Sequence, residues 1–195
     1  MKKQFAILLL LLASSTMLCA QDFKIPDYKF TEEKDYSPYN QDIVDCVDWL
    51  LSTPLGAQMA KRQQANRFLA DWSFGNPYLH ILFLPDLVPI RDQSSELFLI
   101  YIGGWNRAVI LWRRAEGIAD APHAVAETPK EEIIAGVLGG LKAVNEIYTK
   151  YKVVLQESKE VEKFVKMEKQ GKLEKFVRTK IDDIYPKIQK NATGN

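Results

Sequence analysis

The chain has 195 residues, 47% of them hydrophobic, with 26 basic and 25 acidic side chains. That length suits one domain with a sizeable core, and a net charge of +1 excludes nucleic-acid binding by overall basicity. With only two cysteines, Cys19 and Cys46, the chain has no disulfide framework to staple it.

The first element is a leader, "MKKQFAILLLLLASSTMLCAQD". Lys2 and Lys3 precede an apolar stretch from Phe5 to Leu12, and small polar residues lead to Cys19 and Ala20. This is the order of a secretory signal peptide, with a core too short to span a bilayer as a mature helix. Cleavage is expected after Ala20, which places the mature chain in the periplasm or outside the cell with a net charge of −1. Leu18 stands where a lipoprotein signal requires a small residue, which argues against lipid anchoring at Cys19. Cys46 is then left alone among Val44, Val47 and Leu50 and reads as a buried, inert thiol.

Residues 21–36 carry Pro26, many polar groups and no period, so an extended arm is expected there. A single helical domain is expected over 37–188, followed by a disordered tail at 189–195. Ser37-Pro38 can open a helix with Ile43, Val47, Leu50 and Leu51 on one face, and Thr53-Pro54 repeats the signal for a second helix running to about Phe74. "FGNP" stops that helix, and "YLHILFLPDLVPI" is either a short helix or a buried extended piece.

A helix from about Ser95 to Arg114 follows. Thr128-Pro129-Lys130-Glu131 then reads as a capping box opening a long helix from about 129, whose apolar pattern continues through Val154 and Val165 toward Gly171. A last helix, with Leu173, Phe176, Val177, Ile181 and Ile184, is expected to close before Pro186 and to pair with its predecessor as a C-terminal hairpin. Five helices without a strand pattern predict an all-α, irregular bundle.

Charge is uneven, with a balance of −5 over residues 21–60 and +5 over 149–190. The lysine-rich "KFVKMEKQGKLEKFVRTK" has Glu162, Glu168 and Glu174 within or beside it and reads as a solvated helix face.

Two glycine pairs interrupt apolar helices, in "FLIYIGGWNRAVILW" and "EIIAGVLGGLKAV". At 100° per residue, Gly104 shares a face with Leu97, Tyr101, Ala108 and Leu111, while Gly136 and Gly140 lie beside Val137 and Val144. Gly104, Gly136 and Gly140 are therefore expected to let two helices approach closely. Gly103 falls instead beside Arg107 and is a candidate for a functional role. Trp105 and Trp112, seven residues apart, share a face with Tyr101 and could line a groove for an apolar ligand. The candidate ligand-binding set is thus Tyr101, Gly103, Trp105, Arg107 and Trp112. Asn106 and Arg107 break the first run well short of the ~18 apolar residues that a membrane span needs.

His80 and His123 have no second histidine or cysteine at ligand spacing, so no metal or other cofactor is expected. The best enzyme-like set is His80 with Asp86 and Arg91, and Asp71 nearby, without a nucleophile motif. Taken together, the leader, "FLADWSFGNPYLHILF", "ELFLIYIGGWNRAVIL" and "KMEKQGKLEKFV" resemble a group of uncharacterised small exported helical proteins of Bacteroides-like bacteria. The resemblance implies compartment and fold and carries over no functional residue. The expectation is a protein that acts by binding another exported protein or an apolar small molecule. A hydrolase built on His80, Asp86 and Arg91 is the alternative.

Overall fold

In the computed structural model, residues 22–83 and 94–192 are described; the leader and the stretch 84–93 lie outside the described residues. The described chain is all helical. Its helices are α1 (Asn40–Ser52), α2 (Met59–Gly75), α3 (Ser95–Glu116), α4 (Lys130–Tyr151), α5 (Lys159–Lys169) and α6 (Leu173–Ala192). Short 3-10 turns occupy Glu33–Asp35, Ser37–Tyr39 and Val125–Glu127. No helix among the described residues is long and apolar enough to cross a membrane.

The centre of the bundle is the antiparallel pair α3 and α4. The Ser94 hydroxyl accepts from the Leu97 amide to start α3. At its end, Gly117 takes φ +66° while the Gly117 and Ile118 amides return to the Arg114 and Arg113 carbonyls, a glycine-dependent stop. The helices cross where Gly104 meets Gly139: a Cβ on Gly104 would stand 2.5 Å from the Gly139 carbonyl oxygen and 2.6 Å from the Ala143 Cβ. The Tyr101 ring lies over Gly140, and the Trp105 ring lies over Gly136, each 2.6 Å or less from where a Cβ would be. Glycine costs ~1 kcal/mol relative to alanine inside a helix; here the missing methyls let two backbones and two large rings occupy one interface.

The other side of α3 is covered by α1 and α2. Gly103 faces them, with Val47 Cγ2 and Leu69 Cδ2 each 3.0 Å from a would-be Cβ. Gly103 is therefore a second packing position rather than a surface one. Adjacent helical residues stand 100° apart, so Gly103 and Gly104 face different neighbours.

The N-terminal arm has no regular secondary structure over 22–32, yet it is packed. Phe23 is buried beside Trp49 and Phe68, and Phe30 stacks on Tyr36 at 4.8 Å between centroids and meets Tyr39 edge-on at 5.3 Å. Each such pair contributes ~0.5–1.5 kcal/mol beyond burial. A polar, aperiodic stretch is held because its aromatics, not its period, do the packing.

Three helix boundaries depart from expectation. After Thr53-Pro54 the second helix begins only at Met59, behind Gln58 in the left-handed region. The long helix from about 129 stops at Tyr151, and Val153 and Val154 are exposed in the turn that follows. Ser158 opens α5 by accepting from the Val161 amide, while its own amide donates to the Tyr148 hydroxyl at 2.9 Å. That anchor turns the chain back, so Val161, Phe164, Leu173, Val177 and Ile181 are buried, as the inner face of a hairpin lying on α4. Gly171, at φ +66°, joins α5 to α6 through Gly171 and Lys172 amides bonded to the Glu168 and Met167 carbonyls. Finally, α6 continues through Pro186 to Ala192. Pro186 is exposed, so the carbonyl it leaves without an amide partner faces water rather than core.

The Thr128 capping box does not form. Pro129 takes the capping position of α4, the Thr128 hydroxyl has no hydrogen-bond partner, and Glu131 pairs with Arg178 instead.

Candidate ligand-binding cleft

Beyond α2 the chain makes a tight turn. The Asn76 side-chain oxygen accepts from the Tyr78 amide at 2.7 Å, which leaves the amide nitrogen Nδ2 as the free end. The turn is fixed from the arm side as well: a Cβ on Gly75 would lie 2.1 Å from the Tyr36 hydroxyl, and the Tyr78 hydroxyl donates to the Glu33 carbonyl. Tyr78–Phe83 then runs without helical structure, and the Leu82 carbonyl accepts from the Tyr101 hydroxyl at 3.2 Å.

The loop between α3 and α4 closes the opposite wall. His80 Nε2 lies 2.7 Å from the His123 carbonyl oxygen, an acceptor only, so Nε2 carries the proton. The two rings meet edge to face at 4.9 Å. Behind them, Arg113 forms a bidentate pair with Glu132 at 2.8 and 2.9 Å, and both side chains are at least 95% buried. Arg113 Nη2 also lies 3.4 Å from His123 Nε2, and Nη1 lies 3.7 Å from Asp120 Oδ1. Since a guanidinium only donates, His123 presents the Nε2 lone pair to it and its Nδ1–H to the Ala121 carbonyl. The sequence treats the histidines as isolated, but the fold puts them side by side. Their hydrogen bonds bind the loop to the wall of the bundle.

Between these walls lies an open cleft of about 310 Å³. Leu79 and Ile133 form apolar parts of its lining, and Phe74, Phe83 and Val125 stand exposed at its rim. Its polar lining residues are Ser73, Asn76, His80 and Thr128. Ser73 Oγ donates to the Leu69 carbonyl and accepts from Asn106 Nδ2 at 2.6 Å, which orients the fully buried Asn106 amide. Asn76 Nδ2 and Thr128 Oγ1 are buried and have no hydrogen-bond partner among the described residues; Thr128 is 1% exposed. Each such atom costs ~1–3 kcal/mol of desolvation; Arg62 Nε, Asn66 Oδ1, Asn106 Oδ1, Arg113 Nη1 and Asn145 Oδ1 are further ones among the described residues.

The five residues proposed from sequence as ligand contacts do not share this cleft. Tyr101 and Trp105 fill the α3–α4 interface, Gly103 faces Val47 and Leu69, Trp112 is half-buried, and Arg107 forms a 2.7 Å ion pair with Asp48. A groove of about 280 Å³ beside the glycine crossing includes Arg107 and Gly104 but none of the unpartnered buried atoms. Of the enzyme-like set, Asp86 and Arg91 lie outside the described residues. His80 is engaged with His123 and Asp71 with Tyr28 at 2.8 Å. Among the described residues no three His, Cys, Asp or Glu side chains are grouped to hold a metal ion. Cys46 is fully buried with its thiol pushed up by desolvation, so it is unreactive in the folded state.

Asn76 and Thr128 were not legible as site residues. Each sits in a local motif, a turn signal and a cap signal, that explains it without a ligand. Neither a scan of protein-family models nor searches of curated proteins and of solved structures gave a match.

Proposed function

We propose that this chain is an exported binding protein that holds a small molecule in the cleft between the α2–α3 connection and the start of α4. The observation that carries the reading is the pair of unpartnered, nine-tenths-buried polar groups, Asn76 Nδ2 and Thr128 Oγ1, in a cleft with apolar walls. Ligand pockets have this composition, a mostly hydrophobic surface with a few fixed polar groups that set orientation. Export rests on the leader, whose cleavage after Ala20 leaves the arm starting at Gln21 to pack through Phe23.

Native mass spectrometry of protein recovered from its source cells tests the reading. The expected result is a chain beginning at Gln21 that carries a small molecule lost on denaturation. Val125→Trp, which fills the mouth, is expected to come without it. An N-terminus at Met1 would remove the export part, and a ligand retained equally by Val125→Trp would remove the cleft.

A further inference from the structure

We infer that the cleft selects an uncharged, apolar or aromatic molecule bearing a hydrogen-bond acceptor oxygen, of the ketone, ester or amide class, which takes its bonds from Asn76 Nδ2 and Thr128 Oγ1. This rests on the cleft being the binding site. Three features of the lining lead to the acceptor class.

The first is the direction of the Asn76 amide. With Oδ1 committed to the Tyr78 amide, only donor hydrogens remain on the free end. A ligand hydroxyl could meet them only as an acceptor, and a ligand amine N–H not at all. Thr128 Oγ1 can donate too, so acceptor oxygens on the ligand are the groups that both can bond.

The second is charge. Among the described residues no Lys, Arg, Asp or Glu lines the cleft, and the ionisable lining residue His80 already donates from Nε2 to the His123 carbonyl. A carboxylate or phosphate would meet no lysine or arginine among the described lining residues, and an unpaired ion is far costlier to bury than a hydrogen-bonded carbonyl. Arg113, the nearest buried cation to the loop, is bound bidentately by Glu132 and is not part of the lining.

The third is size and surface. About 310 Å³ holds on the order of ten non-hydrogen atoms at ~30 Å³ each. That is one fused two-ring system or a comparable aliphatic body. Phe74 and Phe83, 65% and 46% exposed, supply aromatic surface at the rim that a larger ligand would cover.

The test uses two neutral dyes of similar ring size in fluorescence titrations of the mature protein. Prodan carries a ketone; N-phenyl-1-naphthylamine has no acceptor oxygen. Prodan is expected to bind saturably with a blue shift, and Thr128→Val and Asn76→Asp are each expected to weaken it ~3- to 10-fold. The second dye should be unaffected by Thr128→Val. Asn76→Asp keeps the acceptor for the Tyr78 amide while replacing the donor, so the turn is retained.

A melt of the dye-free protein separates a ligand role from a structural one. Thr128→Val removes a buried hydroxyl that has no partner, so its Tm should equal or exceed that of the wild type. A Tm well below wild type, with both dyes weakened alike, would make Thr128 structural and overturn the inference. If Val125→Trp abolishes both dyes but Thr128→Val and Asn76→Asp leave prodan unchanged, the cleft stands as a site and the acceptor class falls. If Val125→Trp leaves both dyes bound, the cleft reading itself fails. An absence of saturable prodan binding to the wild-type protein overturns the inference outright.

Discussion

Gly104→Ala and Gly103→Ala make the same chemical change one residue apart, and the structure assigns them different costs. At Gly104 the new methyl would sit 2.5 Å from the Gly139 carbonyl oxygen and 2.6 Å from the Ala143 Cβ. Ordinary contacts are ~3.3–3.6 Å for carbon to oxygen and ~3.5–4.0 Å between carbons. No rotamer moves a backbone carbonyl, so α3 and α4 must part by ~0.8–1 Å at their crossing. A gap of that size forfeits ~25–50% of each dispersion contact across it. Overpacking of this kind costs ~1–3 kcal/mol; contact with a backbone carbonyl and a Cβ, neither of which can rotate away, puts Gly104→Ala at the upper end, ~3 kcal/mol, and after the ~1 kcal/mol gain in helix propensity a net loss of about 2 kcal/mol is expected. At Gly103 the obstacles are the methyl ends of Leu69 and Val47 at 3.0 Å, which need shift only a few tenths of an ångström. The propensity gain then offsets the strain, and stability should change by less than ~1 kcal/mol. Urea melts followed by circular dichroism measure both; the Gly104 variant should also lose ~4–8 °C in Tm. The double variant Gly104→Ala/Gly139→Ala should cost less than the sum of its parts, because one separation relieves both clashes. Equal losses at 103 and 104, or strict additivity in the double variant, would refute close backbone packing as the reason for the glycines.

Glu132→Leu leaves the Arg113 guanidinium buried without its carboxylate and is expected to cost ~3–5 kcal/mol in a urea melt, whereas Arg113→Leu/Glu132→Leu should recover most of that loss. Equal losses in the single and double variants would show that the pair is not the source of the cost. Alkaline stability should depend on Tyr28, whose pKa is raised from 10.0 to about 12 by burial first, then by its hydrogen bond to Asp71 and the Asp71 charge. The folded value exceeds the unfolded one, so the contribution is fully present below about pH 10 and is lost as pH rises toward and through about 12. Tyr28→Phe should flatten that part of the pH–stability curve, and an unchanged slope would exclude the contact.

The helical elements were legible because burial here follows the 3.6-residue period. Ile43, Val47 and Leu50 on α1 and Val137, Val144 and Ile147 on α4 are buried where the period puts them. What misled was apolar character without burial: Val154 continues the pattern of α4 yet is exposed, because Ser158 and Tyr148 turn the chain before it can pack. The arm erred in the other direction. Its aromatics have no period, and the surface they cover on Phe68 and Trp49 is assembled only by the fold.

The cleft was illegible for a related reason. Thr128-Pro129-Lys130-Glu131 matches a capping box residue for residue, and a reader of sequence assigns the hydroxyl to the helix amides. The assignment fails because Pro129 is the cap of α4 and Thr128 lies one residue outside it; Tyr185, from a helix 57 positions away in sequence, donates to the Thr128 carbonyl, and Arg178 pairs with Glu131. Both contacts come from α6 lying across the start of α4. The helix start is thus shifted by one residue from the motif, and the Thr128 hydroxyl stands beside the cleft without a partner among the described residues. Asn76 follows the same logic from a turn that uses only one end of its amide. A buried polar atom freed from a strong local motif is therefore a sharper pointer to a binding site than the apolar run "FLIYIGGWNRAVILW", whose tyrosine, first tryptophan and glycines are all spent on the core.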